Sequence, residues 1–167
     1  MNNQAHIDLV LPCYNPPSGW EQKVIGHFTE VQRIFSSIEF HLLIVSDGAQ
    51  RGYEPETIAR LKEAIPDIQI IDYRKNRGKG YALREAVRHC SSPYIIYTDY
   101  DFPYTNNSLK NVIDALLDGA DVIVATRDKS YQDNLPSFRK FLSKTSHLCN
   151  AWLLRLKILD TQGGMKG

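Results

Sequence analysis

Short runs rich in Ile, Val and Tyr alternate along this chain with longer stretches of helical periodicity. That alternation is the signature of a mostly parallel sheet covered by helices, an α/β fold. Strands are expected at residues 7–11, 40–45, 68–73, 94–98 and 122–125, in apolar runs of the kind buried on both faces of a five-stranded core. Between them Val24, Ile25, Phe28, Val31, Ile34 and Phe35 recur at helical spacing, and so do Leu109, Val112, Ile113, Leu116 and Leu117 after the capping signals Thr105-Asn106-Asn107. A third helix is expected over residues 79–90, opening on glycines and turning Ala82, Leu83, Ala86 and Val87 to the sheet. A long helical pattern from 136 to about 156 follows the polar stretch RDKSYQDN, which reads as a loop and a candidate substrate segment.

With 167 residues, no repeat and no Pro, Gly or Ser-rich linker, the chain is expected to form one domain. A formal net charge of +1 gives no global electrostatic case for nucleic acid or an anionic membrane, so any charge logic is local. Cys13, Cys90 and Cys149 are odd in number, lack CxxC spacing and read as free thiols of a reducing cytosol. No run approaches the roughly 18 apolar residues of a membrane helix, and MNNQAHID lacks the marks of a signal peptide, so a cytoplasmic chain is expected. The final DTQGGMKG has no following element and nothing to close against; it reads as a chain cut within a site.

In open parallel sheets, ligands bind beyond the carboxyl ends of the strands. Four successive expected strand ends carry polar loops: Pro12-Cys13-Tyr14-Asn15-Pro16-Pro17, Ser46-Asp47-Gly48, Asn76-Arg77-Gly78-Lys79-Gly80 and Asp99-Tyr100-Asp101. If extension persists beyond residue 98, Asp99 and Asp101 project to the same side and need a neutralising cation. Mg²⁺ or Mn²⁺ suits such a pair, because Mg²⁺ commonly takes one or two carboxylates plus waters and phosphates. In isolation, an Asp-x-Asp is also what a solvated turn leaving a strand looks like. The two glycines and two cations of residues 76–80 sit at an expected helix start, where free amides favour an anion such as a diphosphate. That loop has neither Walker spacing nor GxGxxG, and in isolation it also reads as an ordinary basic turn. Asp47, before a glycine, could accept hydrogen bonds from a nucleobase or ribose, or could close a common Asp-Gly turn. The five histidines show no zinc spacing, and no GxSxG elbow is present.

VLPCYNPP, IVSDG, KNRGKGYALREAV, IIYTDYDFPY, ADVIVATR and DTQGGMKG, in this order, resemble the inverting glycosyltransferases of family 2. These have a GT-A fold, a Rossmann-like sheet flanked by helices. The similarity runs from Ile7 to Gly167 and is nearest to the branch that makes polyprenyl-phosphate sugars, such as dolichyl-phosphate mannosyl- and glucosyltransferases. It implies a metal-dependent hexosyltransferase of cell-envelope glycan synthesis that uses a UDP- or GDP-sugar. Residues 1 to about 101 would form its nucleotide-binding half, and 102–167 an incomplete acceptor half. The resemblance implies that Pro12, Tyr14 and Asn15 line the nucleotide pocket, that Asp47 reads the base, and that Gly78, Lys79 and Gly80 approach the nucleotide. It also implies that Asp99 and Asp101 form the metal-binding pair, with Asp101 the direct ligand. Asp160, Gln162 and Lys166 match the branch's Asp-Thr-Gln-x-Gly-x-Lys signature, which places Asp160 and Gln162 with Asp101 in the catalytic set. Two departures stand out: Pro16-Pro17 replaces the usual acid after Tyr-Asn, and Ser46-Asp47-Gly48-Ala49 replaces Asp-Asp-Gly-Ser.

Transfer to a hydroxyl needs a general base, whereas a phosphomonoester, with a second pKa near ~6, is already largely dianionic at neutral pH. For a polyprenyl phosphate presented at a membrane surface, cations matter more than a base, and Arg127, Arg139, Lys140 and Lys144 are the candidates; they also read as a solvated basic face. Two rival functions are a nucleotidyltransferase, which normally opens on a Gly-rich basic loop where PCYNPP stands here, and a module that binds nucleotide sugars without transfer. A saccharide hydroxyl is the alternative acceptor.

Overall fold

The computed structural model describes residues 4–125 and 164–167. The expected helix over 136–156, the loop over 127–134 and Cys149 lie outside the described residues.

Four strands form one parallel sheet: β1 (Ala5–Cys13), β2 (Ile38–Asp47), β3 (Gln69–Tyr73) and β4 (Tyr94–Tyr97), in the order β3-β2-β1-β4. β1 is hydrogen-bonded on both edges, with Leu9 opposite Leu42 on one side and Ile96 on the other. Its alternation divides the core. Ile7, Leu9 and Leu11 pack with helix α1 (Trp20–Ile34), helix α2 (Pro55–Ala64) and helix α4 (Asn106–Leu117), while Val10 faces helix α3 (Lys79–Val87) with Leu43 and Val45. A sheet covered on both faces explains why its strands read as near-continuous apolar runs.

The helices follow from their sequences. In α1, Trp20, Val24, Phe28 and Val31 are buried at spacings of three and four, and each large side chain so placed contributes on the order of 2 kcal/mol. Trp20 is further fixed by its indole N–H, which donates to the Gly52 carbonyl at 2.7 Å. α4 begins where expected, since the Thr105 hydroxyl accepts from the Ser108 amide at 3.2 Å and caps it. α2 escaped the sequence reading: only Thr57 and Leu61 of its ten residues are buried, a stripe too thin to stand out, although Pro55 opens it.

The fifth expected strand is corrected. Over residues 122–125 only Val124 bridges, and its partner is Lys166 rather than β4. The chain end occupies the intervening place. The Lys166 amide donates to Tyr97 O and its carbonyl accepts from Tyr97 N, while Gly167 exchanges the same pair of bonds with Ile123. The expectation that DTQGGMKG has nothing to close against is therefore corrected for residues 164–167: they lie antiparallel against the end of β4, with Met165 buried. Among the described residues no helix is long and apolar enough to cross a membrane.

Candidate functional site

Strand order reverses at β1, so the crevice outside the carboxyl ends of β1 and β4 is the topological switch point where such sheets bind ligands. All four polar loops emerge at that end of the sheet. Cys13 closes β1; it is buried, and burial pushes its thiol up to about 12, with the nearby Asp101 charge adding to the rise, so it stays a neutral core residue. Cys13 and Cys90 are free thiols. Pro12 is paired with Val45 inside the sheet, whereas Tyr14 is half exposed. Asn15 adopts a left-handed backbone (φ 46°), and its side-chain oxygen accepts from the Gln50 amide at 2.7 Å, tying the loop after β1 to the loop after β2.

At the end of β2 lies Asp47, 4% exposed. One carboxylate oxygen accepts from the Tyr73 hydroxyl at 2.7 Å and the Arg77 amide at 2.8 Å, and the other accepts from the Gly78 amide at 2.9 Å. Gly48 beside it has φ +64°, and a Cβ there would stand 2.3 Å from the Asn76 nitrogen, so only glycine lets the loop over 76–80 lie this close. Gly78, with φ +87°, is the N-cap of α3 and, having no side chain, caps none of the helix's first amides.

Lys79, the first residue of α3, reaches Asp99 with its ammonium 2.5 Å from Oδ1; both side chains are half exposed. The Tyr97 ring lies under this pair, its centroid 5.9 Å from the Lys79 ammonium and 5.6 Å from that of Lys166. Behind Asp99 runs the chain end: a Cβ on Gly164 would come within 2.8 Å of Asp99 Oδ2, and the Gly164 amide donates to the Tyr104 hydroxyl at 2.6 Å.

The condition set for the acid pair fails, because extension stops at Tyr97. Residues 99–102 form a turn closed by the Phe102 amide on the Asp99 carbonyl at 3.0 Å, with Phe102 at φ 47°. Asp99 therefore faces Lys79 and Gly164, and Asp101 stands exposed at the rim, where its charge reaches Cys13 and Tyr100. Burial, then these neighbouring charges, raise the Tyr100 hydroxyl above its ordinary value. Asp99 fits a divalent cation, since it already holds a stand-in, the Lys79 ammonium, and a half-exposed carboxylate suits an ion that also takes waters and phosphate oxygens. No group of three or more His, Cys, Asp or Glu converges among the described residues.

Thus the structure gathers Asp47, Gly78, Lys79 and Asp99, with Asp101 at the rim and Asn15 held one loop away. Gly80 lies in the first turn of α3. Asp160, Gln162, Arg127, Arg139, Lys140 and Lys144 lie outside the described residues. Tyr73, Tyr104 and Gly164 were missed in the sequence. Tyr73 is the last residue of β3 and the register partner of Asp47, a coincidence of two strand ends that could have marked it.

A parallel α/β sheet with its polar loops at the switch point defines the class as Rossmann-like, of which the GT-A fold expected from the sequence is one form. A mannosyltransferase of Pyrobaculum calidifontis, solved with GDP-Man and Mn²⁺, shares this fold at a TM-score of 0.59 and 21% identity over 73% of this chain and 35% of that one. The model of glycosyl transferase family 2 matches residues 8–165, and the chain belongs to that family. Similar relatives include a dolichyl-phosphate beta-glucosyltransferase of Trichomonas vaginalis, 21% identical over 97% of this chain and 52% of that protein. A bactoprenol glucosyl transferase of Shigella phage SfV is 26% identical over 76% of this chain and 40% of that protein. The chain thus spans about half the length of these relatives, or less.

Proposed function

We propose that this chain is the donor-binding part of an inverting, metal-dependent glycosyltransferase that moves a sugar from a UDP- or GDP-sugar to a polyprenyl phosphate. The observation that carries the reading is the meeting of Lys79 with Asp99, which brings an anion-binding helix start against an acid pair at the sheet's switch point. The names of the polyprenol-linked relatives support the acceptor, and the Pyrobaculum neighbour's GDP-Man and Mn²⁺ support the donor class.

In this reading, the amides at the start of α3 and the Lys79 ammonium hold the donor's diphosphate, and Pro12, Tyr14 and Asn15 border the nucleoside. Asp99 and Asp101 hold Mg²⁺ or Mn²⁺, which supplies compensation for charge that develops on the departing diphosphate. Asp160 and Gln162 join Asp101 in the catalytic set, and Arg127, Arg139, Lys140 and Lys144 receive the acceptor phosphate. With a dianionic phosphate as nucleophile no general base is required, and attack on the face opposite the leaving group inverts the anomeric carbon. The chain forms one domain, nucleotide-binding up to about residue 101 and acceptor-binding thereafter, working at the cytoplasmic face of a membrane without nucleic acid.

A thermal-shift panel of UDP- and GDP-sugars with and without Mn²⁺ tests this. A ligand at about 100 times its Kd adds ~2.7 kcal/mol, which raises Tm by roughly 5–10 °C for a domain of this size. Stabilisation by one nucleotide class, dependent on metal, is expected; a flat panel across both classes removes the reading.

A further inference from the structure

Helix α1 reaches the segment that carries Asp99 and Asp101 through three side chains. Trp20, His27 and Glu30, spaced by seven and three residues, lie along one side of the helix. The Trp20 indole, buried and fixed to the Gly52 carbonyl, meets the Tyr100 ring edge to face with centroids 6.1 Å apart. His27 stacks on Phe102, with centroids 5.1 Å apart and planes 23° from parallel. Glu30 accepts from the Asn106 side-chain amide at 2.9 Å, where α4 begins. Residues 100 and 102 therefore pack inward, and the acids that alternate with them are left outside, Asp101 at the rim and Asp99 against Lys79. Phe102 holds its place at φ 47°, a left-handed backbone that a bulky residue keeps only where its surroundings over-determine it.

We propose that His27 is a positioning residue for the acid pair: its stack holds Phe102 in the left-handed conformation and so fixes where Asp101 stands beside Asp99. The inference rests on the proposed function only in that the ligand of the two acids is a divalent cation. Trp20 anchors the other side of Asp101 through Tyr100, so loss of the His27 stack frees the turn at one end. A core contact and a positioning contact differ in one respect. Loss of the first lowers the melting temperature and leaves the folded protein's affinity for metal unchanged, whereas loss of the second weakens metal binding in protein that is still folded.

The test compares His27→Ala, which removes the stack, with His27→Phe, which restores a ring. Phe102→Gly is the third variant; it accepts a left-handed backbone without strain but leaves His27 nothing to stack on. The whole chain is titrated with Mn²⁺ well below its melting temperature, with free metal followed by electron paramagnetic resonance. The Kd is expected to rise about five- to tenfold in His27→Ala and in Phe102→Gly, and to stay within about twofold of wild type in His27→Phe. The double variant is expected to lose no more than either single one, because both delete the same contact. Without metal, hydrogen exchange at the Phe102 amide, which closes the turn on the Asp99 carbonyl, is expected to speed by about five- to tenfold in His27→Ala, with the amides of β1 unchanged. An unchanged Kd in His27→Ala beside a lowered melting temperature, a His27→Phe that binds metal as poorly as His27→Ala, or unaltered exchange at Phe102 overturns the proposal. Should the wild type bind no Mn²⁺, the functional reading falls, while the exchange measurement still decides whether His27 holds the turn. If His27→Ala does not fold, Phe102→Gly decides in its place.

Discussion

The Lys79 ammonium stands 2.5 Å from Asp99 Oδ1, and this contact joins the first turn of α3 to the loop after β4 over the carboxyl end of the sheet. Both side chains are half exposed, so water and salt screen the pair and its net worth is at most about 1 kcal/mol. In the proposed function Asp99 would hold a divalent cation in place of the ammonium, leaving Lys79 to pair with a phosphate.

Lys79→Met is accordingly expected to tighten Mn²⁺ binding in the absence of nucleotide, by up to about fivefold, because the metal no longer competes with an internal cation. The same variant is expected to bind UDP or GDP more weakly. Titration of free Mn²⁺ by electron paramagnetic resonance, with and without nucleotide, measures both. Weaker metal binding in the variant would contradict the exchange.

Asp101→Ala should leave the fold intact, since the side chain is exposed at the rim. Turnover should fall by about 10²- to 10³-fold or more, the scale on which a group that stabilises developing charge matters. Initial rates measured on the full-length protein, together with the melting temperature, check this; wild-type rates without added metal would refute the assignment.

Gly48→Ala is expected to destabilise the protein by at least about 2 kcal/mol. A left-handed backbone alone costs a residue with a Cβ ~1–2 kcal/mol, and the new carbon would fall 2.3 Å from the Asn76 nitrogen. Urea denaturation gives the loss directly. The variant's nucleotide affinity should drop as well, because the loop that must retreat is the one that starts α3.

Asp8 predicts a pH dependence. Burial tends to raise its pKa, but hydrogen bonds from the Ser92 amide and hydroxyl, the Ser91 amide and His41 outweigh this and hold it below the ordinary carboxylate value. A folded-state pKa below the unfolded one means that the stability it contributes is complete above the unfolded value of about 4 and is lost as pH falls through the folded value. Asp8→Asn should therefore cost about 2–3 kcal/mol at pH 7 and flatten the loss of stability as pH falls below the unfolded value of about 4. Denaturation midpoints across that range check it; parallel pH profiles in the two proteins would exclude this role.

The sequence by itself determined the four strands, three of the helices and the polar loop at each strand end, to within a few residues. These depend on local patterning: Leu9, Leu42 and Ile96 must be buried wherever the chain goes, and Thr105 caps whatever helix follows it. It also carried enough ordered motifs to indicate the family. Only the tertiary structure decided that Lys166 pairs with Tyr97, in the place of the strand expected at 122–125, and that Asp47 holds amides 30 and 31 positions away. The same holds for Lys79 and Asp99, whose opposite charges say nothing in sequence about which of many partners each will meet. Periodicity reports which side of an element is buried, because burial depends on the residue itself. A hydrogen bond or ion pair depends on a second residue whose distance is set by how strands are ordered and registered, and that order exists only once the sheet has formed.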